Sequence, residues 1–380
     1  MNLHFFMDPF GHYSCHFAER LRQIDSTNNL IVNINEAKIN DPRIIYFKNY
    51  NHELKNWIDE QKNIKRVYFH YHNPIFQEIN KKFKKKNPAI ISTWVFWGGD
   101  FYSLPEFNSA KYLKFSAQFS AGSYLQRSNK LRQIAVNIYY RSKGSVPYNH
   151  KKFIASFQNI DYLATTFEND FDNVIRYSGS KMKFVKFSYA SLNQILINSD
   201  DLNHHELGNK IMVGHSADPG LNHFEILSQL KDLKCPNDIL LPLNYGNQQY
   251  KKALLDAVNH YSLSLEILDQ YLPIEEYNKK MLEVGFAIFN VNRQQAFGNI
   301  VTLVWMGAKV FLHEESSIYV EFKKLGIAVF SVNEIQRIEI FTPLSIPEKE
   351  KNKQILESYL SSDVVNEMTR DLLQLHTVNR

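Results

Sequence analysis

Arginine, glutamine, asparagine, histidine and glycine are massed in two stretches of the second half of the chain, and together they suit the binding of a phosphorylated, hydroxyl-rich ligand. The first stretch, VGHSADPGLNHFEIL at 213–227, leaves an apolar strand at Val213 and enters a helix near Leu221. Glycine lets a ligand come close to the backbone, and the free N–H groups of a helix start attract phosphate. Gly214, His215, Ser216, Asp218, Asn222 and His223 are therefore candidates to hold a diphosphate. A plain strand–turn–helix connection capped by Asp218 or Asn222 accounts for the same residues, so both readings stand at this point. The G-x-S pattern lacks the further glycine of a nucleophile elbow, which argues against a hydrolase serine.

The second stretch, FNVNRQQAFGN at 289–299, lies between a core strand and an apolar helix. Arg293 offers a bidentate fork to phosphate, and Gln294, Gln295 and Asn299 can read sugar hydroxyls. Gly298 would open the N-terminus of the next helix. Two further residues join the set. Tyr245, in LPLNYGN at 241–247, could lie against a base, although Pro, Gly and Asn also make this an ordinary turn. Glu315, after the strand ending at Leu312, could accept hydrogen bonds from a ribose.

In the first half, WVFWGGDFY at 94–102 sets Asp100 just past a strand end and two glycines. Asp100 is a candidate base or a helix N-cap. His12, after the first strand, is the rival base, because imidazole titrates near neutrality. His70 and His72 are spaced as two metal ligands, but no third ligand is close in sequence, so no metal is expected. Asp170-Phe-Asp172 matches a short metal–nucleotide pattern that occurs often by chance, and it is discounted.

These residues need a scaffold that presents loops at strand ends. Short β-rich runs recur through both halves, and runs such as DILLPL and GFAIF look like parallel strands covered on both faces. Strands alternate with polar helical stretches, so two doubly wound α/β domains are expected, with ligands beyond the carboxyl ends of the strands. The domains are placed at 1–200 and 201–345, joined through the polar segment 198–205, with a helical tail at 346–380 that could pack back on the first domain. Residues 1–200 hold 27 Lys+Arg against 16 Asp+Glu, whereas residues 201–380 hold 17 against 23, which suggests different partners for the two halves. The densest basic cluster is Lys81, Lys82, Lys84, Lys85 and Lys86: a solvated helix face, or a face for anionic lipid. No nucleic-acid motif accompanies it. The longest apolar stretch, 300–312, is too short to span a bilayer, the N-terminus does not read as a signal peptide, and two cysteines suit a reducing cytoplasm.

Taken in order, the motifs resemble glycosyltransferase family 56. The likeness rests on FHYHNP at 69–74, WVFWGGDFYSL at 94–104, VGHSADPGLNHFEIL at 213–227, LPLNYGNQQY at 241–250, and the long run 275–312 with its RQQ-x-x-G core at Arg293–Gly298. It covers roughly residues 1–335 and is strongest in the second half. The resemblance implies a GT-B fold, two Rossmann-like domains facing across a cleft, with a nucleotide-sugar donor in the second and a saccharide acceptor in the first. It implies transfer of a deoxy- or acetamido-deoxyhexose, from a thymidine-diphosphate sugar in the known member, to a lipid-linked or surface-glycan acceptor on the inner face of the cytoplasmic membrane. Neither a metal nor another cofactor is expected. His12 and Asp100 match a family His and Gly-x-Asp, while the displaced Asp8 leaves that residue a poor match for a base. The likeness fades beyond about 340. A nucleotide-sugar epimerase of the same architecture, or a non-catalytic nucleotide-sugar or glycan-binding protein, would carry the same donor motifs.

Overall fold

A computed structural model describes residues 1–7, 11–35, 41, 43–107, 113–117, 146–196 and 206–376. The chain divides into two compact units. Unit 1 comprises Met1–Phe101, Arg127–Ser191 and Ser362–Arg380; unit 2 comprises Tyr102–Gln126 and Leu192–Ser361. The expected linker 198–205 lies outside the described residues.

Unit 1 is built on seven parallel strands: β1 (Asn2–Phe6), β2 (Asn29–Ile34), β3 (Ile44–Phe47), β4 (Arg66–His70), β5 (Ile91–Val95), β6 (Tyr162–Thr165) and β7 (Lys183–Lys186). Their order across the sheet is β3-β2-β1-β4-β5-β6-β7. Its described helices are α1 (His12–Ile24), α2 (His52–Glu60), α3 (Pro74–Lys86), α4 (Gly99–Tyr102, whose last residue falls in unit 2), α5 (His150–Ser156) and α6 (Glu168–Ser178). Successive strand residues point to opposite faces, so Phe5 enters one apolar cluster with Val32, Phe69 and Phe76, and Phe6 enters the other with Phe17 and Phe187. Two covered faces explain why these strands read as continuous apolar runs. Asparagines start the helices: Asn51, Asn73 and Asn149 each accept an N–H from the first turn, and Pro74 follows Asn73 where its missing N–H costs nothing.

Unit 2 repeats the plan with six parallel strands: β8 (Lys210–Val213), β9 (Ile239–Pro242), β10 (Leu265–Leu268), β11 (Val284–Phe289), β12 (Lys309–Leu312) and β13 (Phe330–Ser331), ordered β10-β9-β8-β11-β12-β13. The helices are α7 (Leu192–Ile195), α8 (His223–Asp232), α9 (Gln248–Val258), α10 (Ile274–Leu282), α11 (Phe297–Met306), α12 (Ser317–Leu325) and α13 (Ile346–Tyr359). The last helix, α14 (Ser362–Leu373), returns to unit 1. There Arg20 Nε donates to Thr369 Oγ1 at 2.9 Å and Tyr68 Oη to the Leu372 carbonyl at 2.8 Å, while Leu372 enters the Phe6 cluster.

Both sheets have the Rossmann strand order, in which the chain runs outward from the first strand, crosses back, and continues on its other side. The reversal falls between β1 and β4 in unit 1 and between β8 and β11 in unit 2. The doubly wound α/β architecture read from the sequence is therefore the observed one. No described helix is long and apolar enough to cross a membrane.

Candidate active site

The loops leaving β8 and β11 diverge at the reversal point of unit 2, and the residues singled out in the sequence fill them. Gly214 adopts φ +68°, a left-handed conformation that favours glycine, and a Cβ there would run into the His223 imidazole. Its N–H donates to the Ile288 carbonyl at 2.9 Å, tying the loop to β11. Asn222 is also left-handed, at φ 52°, and its amide donates to the Asn290 carbonyl at 2.8 Å. Asp218 holds the turn by accepting the Gly220 N–H at 2.8 Å. The same carboxylate accepts from Arg293 Nη2 at 3.1 Å and Gln295 Nε2 at 3.0 Å. Asp218 is thus both the turn cap considered from sequence and the pin between the two loops.

Six polar atoms here are buried without a hydrogen-bond partner among the described residues: His215 Nδ1, His223 Nε2, Asn290 Oδ1, Arg293 Nε, Gln294 Oε1 and Gln295 Oε1. Native interiors seldom leave such atoms unsatisfied, because each costs on the order of 1–3 kcal/mol. Their grouping makes this a candidate site for a polar ligand. The imidazoles are neutral: burial pushes His215 down to about 4 and His223 down to about 3. Asp218 opposes this at His215, and the weaker repulsion from Arg293 partly cancels that opposition.

A third loop joins them. Ala217 N–H donates to the Tyr245 carbonyl at 2.7 Å, Asn247 N–H to the Ala217 carbonyl at 2.9 Å, and Gly246 sits at φ +115°, where a Cβ would meet the Ala217 backbone at 2.7 Å. Tyr245 is 54% exposed, with its ring 6.1 Å from that of His215. Ser216 is buried within the first loop. Ala296 precedes α11 in a left-handed conformation, φ 62°, and Gly298 and Asn299 follow in the first turn. Asn299 Oδ1 is 3.5 Å from the Tyr277 hydroxyl. Glu315 lies in an exposed turn and donates its N–H to His313 Nδ1, while its neighbour Glu314 takes the Ser331 hydroxyl at 2.6 Å.

Sequence reading missed three contributors. Leu113 N–H donates to Asn222 Oδ1 at 2.9 Å, and Glu225, in the first turn of α8, accepts N–H groups from Phe115 at 2.8 Å and Ser116 at 3.0 Å. Tyr250, buried on α9, bonds His223 Nδ1 at 3.0 Å. Nothing local in the sequence signals contacts between residues more than a hundred positions apart. Tyr250 reads simply as an apolar-face residue.

Unit 1 places the remaining candidates. Asp100 is 3% exposed, its Oδ2 accepting the Trp94 indole N–H at 2.6 Å and the His72 N–H at 3.1 Å, and its Oδ1 the Trp97 N–H at 3.3 Å. Burial outweighs these donors and raises its carboxyl to about 7. His12 is the first residue of α1, directly beyond β1; its side chain lies outside the description, as does Asp8. His70 bonds His4 at 3.1 Å and Tyr189 at 2.8 Å, whereas His72 bonds Ser156 at 2.9 Å, so the two imidazoles serve different neighbours. Among the described residues no three His, Cys, Asp or Glu side chains form a group that could hold a metal ion. Asp170 is fully buried on α6.

The lysine run is split by packing. Lys82 pairs with Asp59, Lys84 with Asp161, and Lys86 reaches the carbonyls of Ile58, Asp59 and Gln61 at the end of α2, as a cation at a helix C-terminus should. Only Lys81 and Lys85 of the five stand exposed without a described partner, so most of the cluster is internal support for α2, α3 and β6 rather than a free basic face.

Residues 180–345 match the family model described as 4-alpha-L-fucosyltransferase glycosyl transferase group 56. Among solved structures, sucrose-phosphate synthase from Thermosynechococcus elongatus is similar at 10% identity and TM-score 0.62, over 98% of this chain and 98% of that one. The Anabaena protein HepE, solved with UDP and glucose, is similar at 11% identity and TM-score 0.60, over 98% of this chain and 99% of that one. WaaG, a glycosyltransferase of lipopolysaccharide biosynthesis, is similar at 10% identity and TM-score 0.52, over 98% of this chain and 100% of that one. At such identities these structures establish the fold, which is GT-B. The chain has the GT-B fold, and its residues 180–345 match the group 56 glycosyltransferase model.

Proposed function

We propose that the protein transfers a deoxy- or acetamido-deoxyhexose from a nucleoside-diphosphate donor, a dTDP-sugar in the first instance, to a saccharide acceptor that is lipid-linked or part of a surface glycan. The observation that carries the donor site is the set of six unsatisfied buried polar atoms on the loops after β8 and β11. A diphosphate with its sugar supplies both the charge that Arg293 is placed to meet and the hydroxyls that Gln294 and Gln295 can bind. HepE, of the same fold, was solved with UDP and glucose, which supports a nucleotide-sugar donor of some kind. The family description names fucosyl transfer, which supports a deoxyhexose.

In this reading Arg293, Ser216 and the backbone N–H groups after Gly214 meet the negative charge that grows on the leaving diphosphate. Donors fixed before reaction need no reorganisation when that charge appears. Gln294, Gln295 and Asn299 orient the sugar, and Tyr245 lies against the base. Unit 1 supplies the acceptor. The enclosed carboxylate of Asp100, with three N–H donors on it, suits holding the loops after β4 and β5. We assign the base to His12, the first residue of α1, directly beyond β1. The exposed lysines Lys81 and Lys85 would add about 1 kcal/mol each to attraction by an anionic membrane.

The test is a transfer assay with dTDP- and UDP-deoxyhexoses and polyprenyl-linked or free oligosaccharide acceptors, run with EDTA and with magnesium. A glycosylated acceptor formed in EDTA supports the reading. Isomerised donor without acceptor would indicate an epimerase, and donor binding without turnover on any acceptor a binding protein; either result overturns it.

A further inference from the structure

Two side chains from the loop after β11 meet on a single oxygen of the loop after β8, and that oxygen fixes which way one of them points. Asp218 Oδ1 accepts the Gly220 N–H at 2.8 Å, while its Oδ2 accepts Arg293 Nη2 at 3.1 Å and Gln295 Nε2 at 3.0 Å. A carboxylate paired with a guanidinium carries no proton and can only accept. The end of the Gln295 amide that faces it must therefore be the nitrogen. The amide oxygen, Oε1, is turned away from Asp218, and it is buried with no partner among the described residues.

A neighbouring amide gives the contrast. Asn222 Oδ1 takes the Leu113 N–H at 2.9 Å, and Nδ2 donates to the carbonyls of Gly220 at 3.1 Å and Asn290 at 2.8 Å, so both ends of that amide are committed to the protein. Gln295 is committed at one end only. An amide oxygen repels the oxygens of a phosphate, which likewise only accept, and is satisfied by an O–H or N–H. Arg293 presents the opposite polarity, because the atom it leaves buried and unpartnered is Nε, a donor.

We infer that Asp218 is a positioning residue that divides the donor site by polarity. It holds Arg293 with an unpaired N–H for the diphosphate, and Gln295 with an unpaired oxygen for a hydroxyl or amide N–H of the sugar. Gln295 is then a specificity residue that reads a hydrogen-bond donor on the sugar and nothing on the diphosphate. This division rests on the donor site proposed above.

Titrating dTDP and a dTDP-deoxyhexose into the wild type, Gln295→Leu, Asp218→Ser and the double variant tests both roles, with melting curves to show that each is folded. Serine at 218 can still accept the Gly220 N–H, so the turn survives, but it lacks the second oxygen that holds Arg293 and Gln295. The readout is the factor by which the sugar improves affinity over bare dTDP. A merely structural change weakens both ligands and leaves that factor alone. Gln295→Leu should cut the factor at least about tenfold, the loss of one good hydrogen bond to the sugar, and leave dTDP binding within about twofold. Asp218→Ser should cut it as far and also weaken dTDP at least about threefold, because Arg293 loses its hold. In the double variant the factor should fall no further than in either single one. An unchanged factor in folded Gln295→Leu overturns the acceptor role of Gln295. An unchanged factor in folded Asp218→Ser, or losses that add in the double variant, overturns the positioning role of Asp218. If neither dTDP nor the sugar donor binds the wild type, the proposed function and this division of the site fail together; binding with unmoved factors sinks the division alone.

Discussion

The Arg293 guanidinium stands 3.1 Å from the Asp218 carboxylate, and this pair joins the loop after β8 to the loop after β11 where the second sheet reverses. The partners are 12% and 26% exposed in their side chains, so the pair is screened only in part and contributes about 1 kcal/mol of stability. Its arrangement suits function better. Asp218 holds the fork in place, and Nε is left with no partner among the described residues.

Replacing Arg293 with Ala should therefore lower stability slightly and transfer greatly. We expect the melting temperature to fall by a few degrees and kcat/KM by about a hundredfold or more, the usual scale for removing a transition-state charge partner. Arg293→Lys should recover only part, because an ammonium cannot reproduce the fork. Calorimetry beside steady-state kinetics separates the two effects; near-wild-type kcat/KM in a folded Arg293→Ala protein would remove the phosphate role.

Gly214 makes the opposite prediction, a change felt first in the fold. Alanine there must take φ +68° and push its Cβ against His223. We expect a loss of about 2–4 kcal/mol from strain and overlap together. Urea denaturation measures it, and a loss under about 0.5 kcal/mol would show that the loop relaxes more freely than its packing implies.

Ala296 offers a stabilising counterpart. It begins α11 at φ 62°, where a side chain is a liability. Ala296→Gly should raise stability by up to about 1 kcal/mol, less the entropy that glycine adds to the unfolded chain. The same denaturation measurement checks the sign.

Acid should weaken the protein before it reaches the carboxylates. Burial lowers His4, His72 and His223 to about 3 and His215 to about 4, and His70 well below its usual 6.5. Between those values and 6.5 the unfolded chain binds protons that the folded one refuses, so stability falls as pH falls. Asp100 acts the other way, since its carboxyl is raised to about 7 and its contribution is lost as pH rises toward that value. Five imidazoles oppose one carboxyl, so the net change is a loss on acidification. Urea midpoints at about pH 7.5, 6 and 5 should decline in that order, by up to about 1.4 kcal/mol per pH unit for each imidazole. A flat profile would mean that these histidines are hydrated.

The fold was legible because strands buried on both faces leave unbroken apolar runs, and the runs DILLPL and GFAIF hold β9 and β11. The donor loops were legible because glycine, asparagine and arginine between a core strand and a core helix have little else to do. What stayed hidden depends on distant partners. Lys82, Lys84 and Lys86 look like a basic face until Asp59, Asp161 and the end of α2 are brought beside them. Glu225 looks like one more helix-start acid until the segment Leu113–Ala117 is laid on it. The burial of Asp100 likewise follows from Trp94 and His72 closing over it, which no local pattern announces.

The most direct test of the donor site is isothermal titration of dTDP, UDP, GDP and CDP into the wild-type protein in EDTA, repeated with Arg293→Ala. The account predicts binding of one nucleotide with a dissociation constant in the micromolar range, weakened at least about tenfold by the substitution. Failure of every nucleotide to bind a well-folded sample, with EDTA or with magnesium, would contradict it.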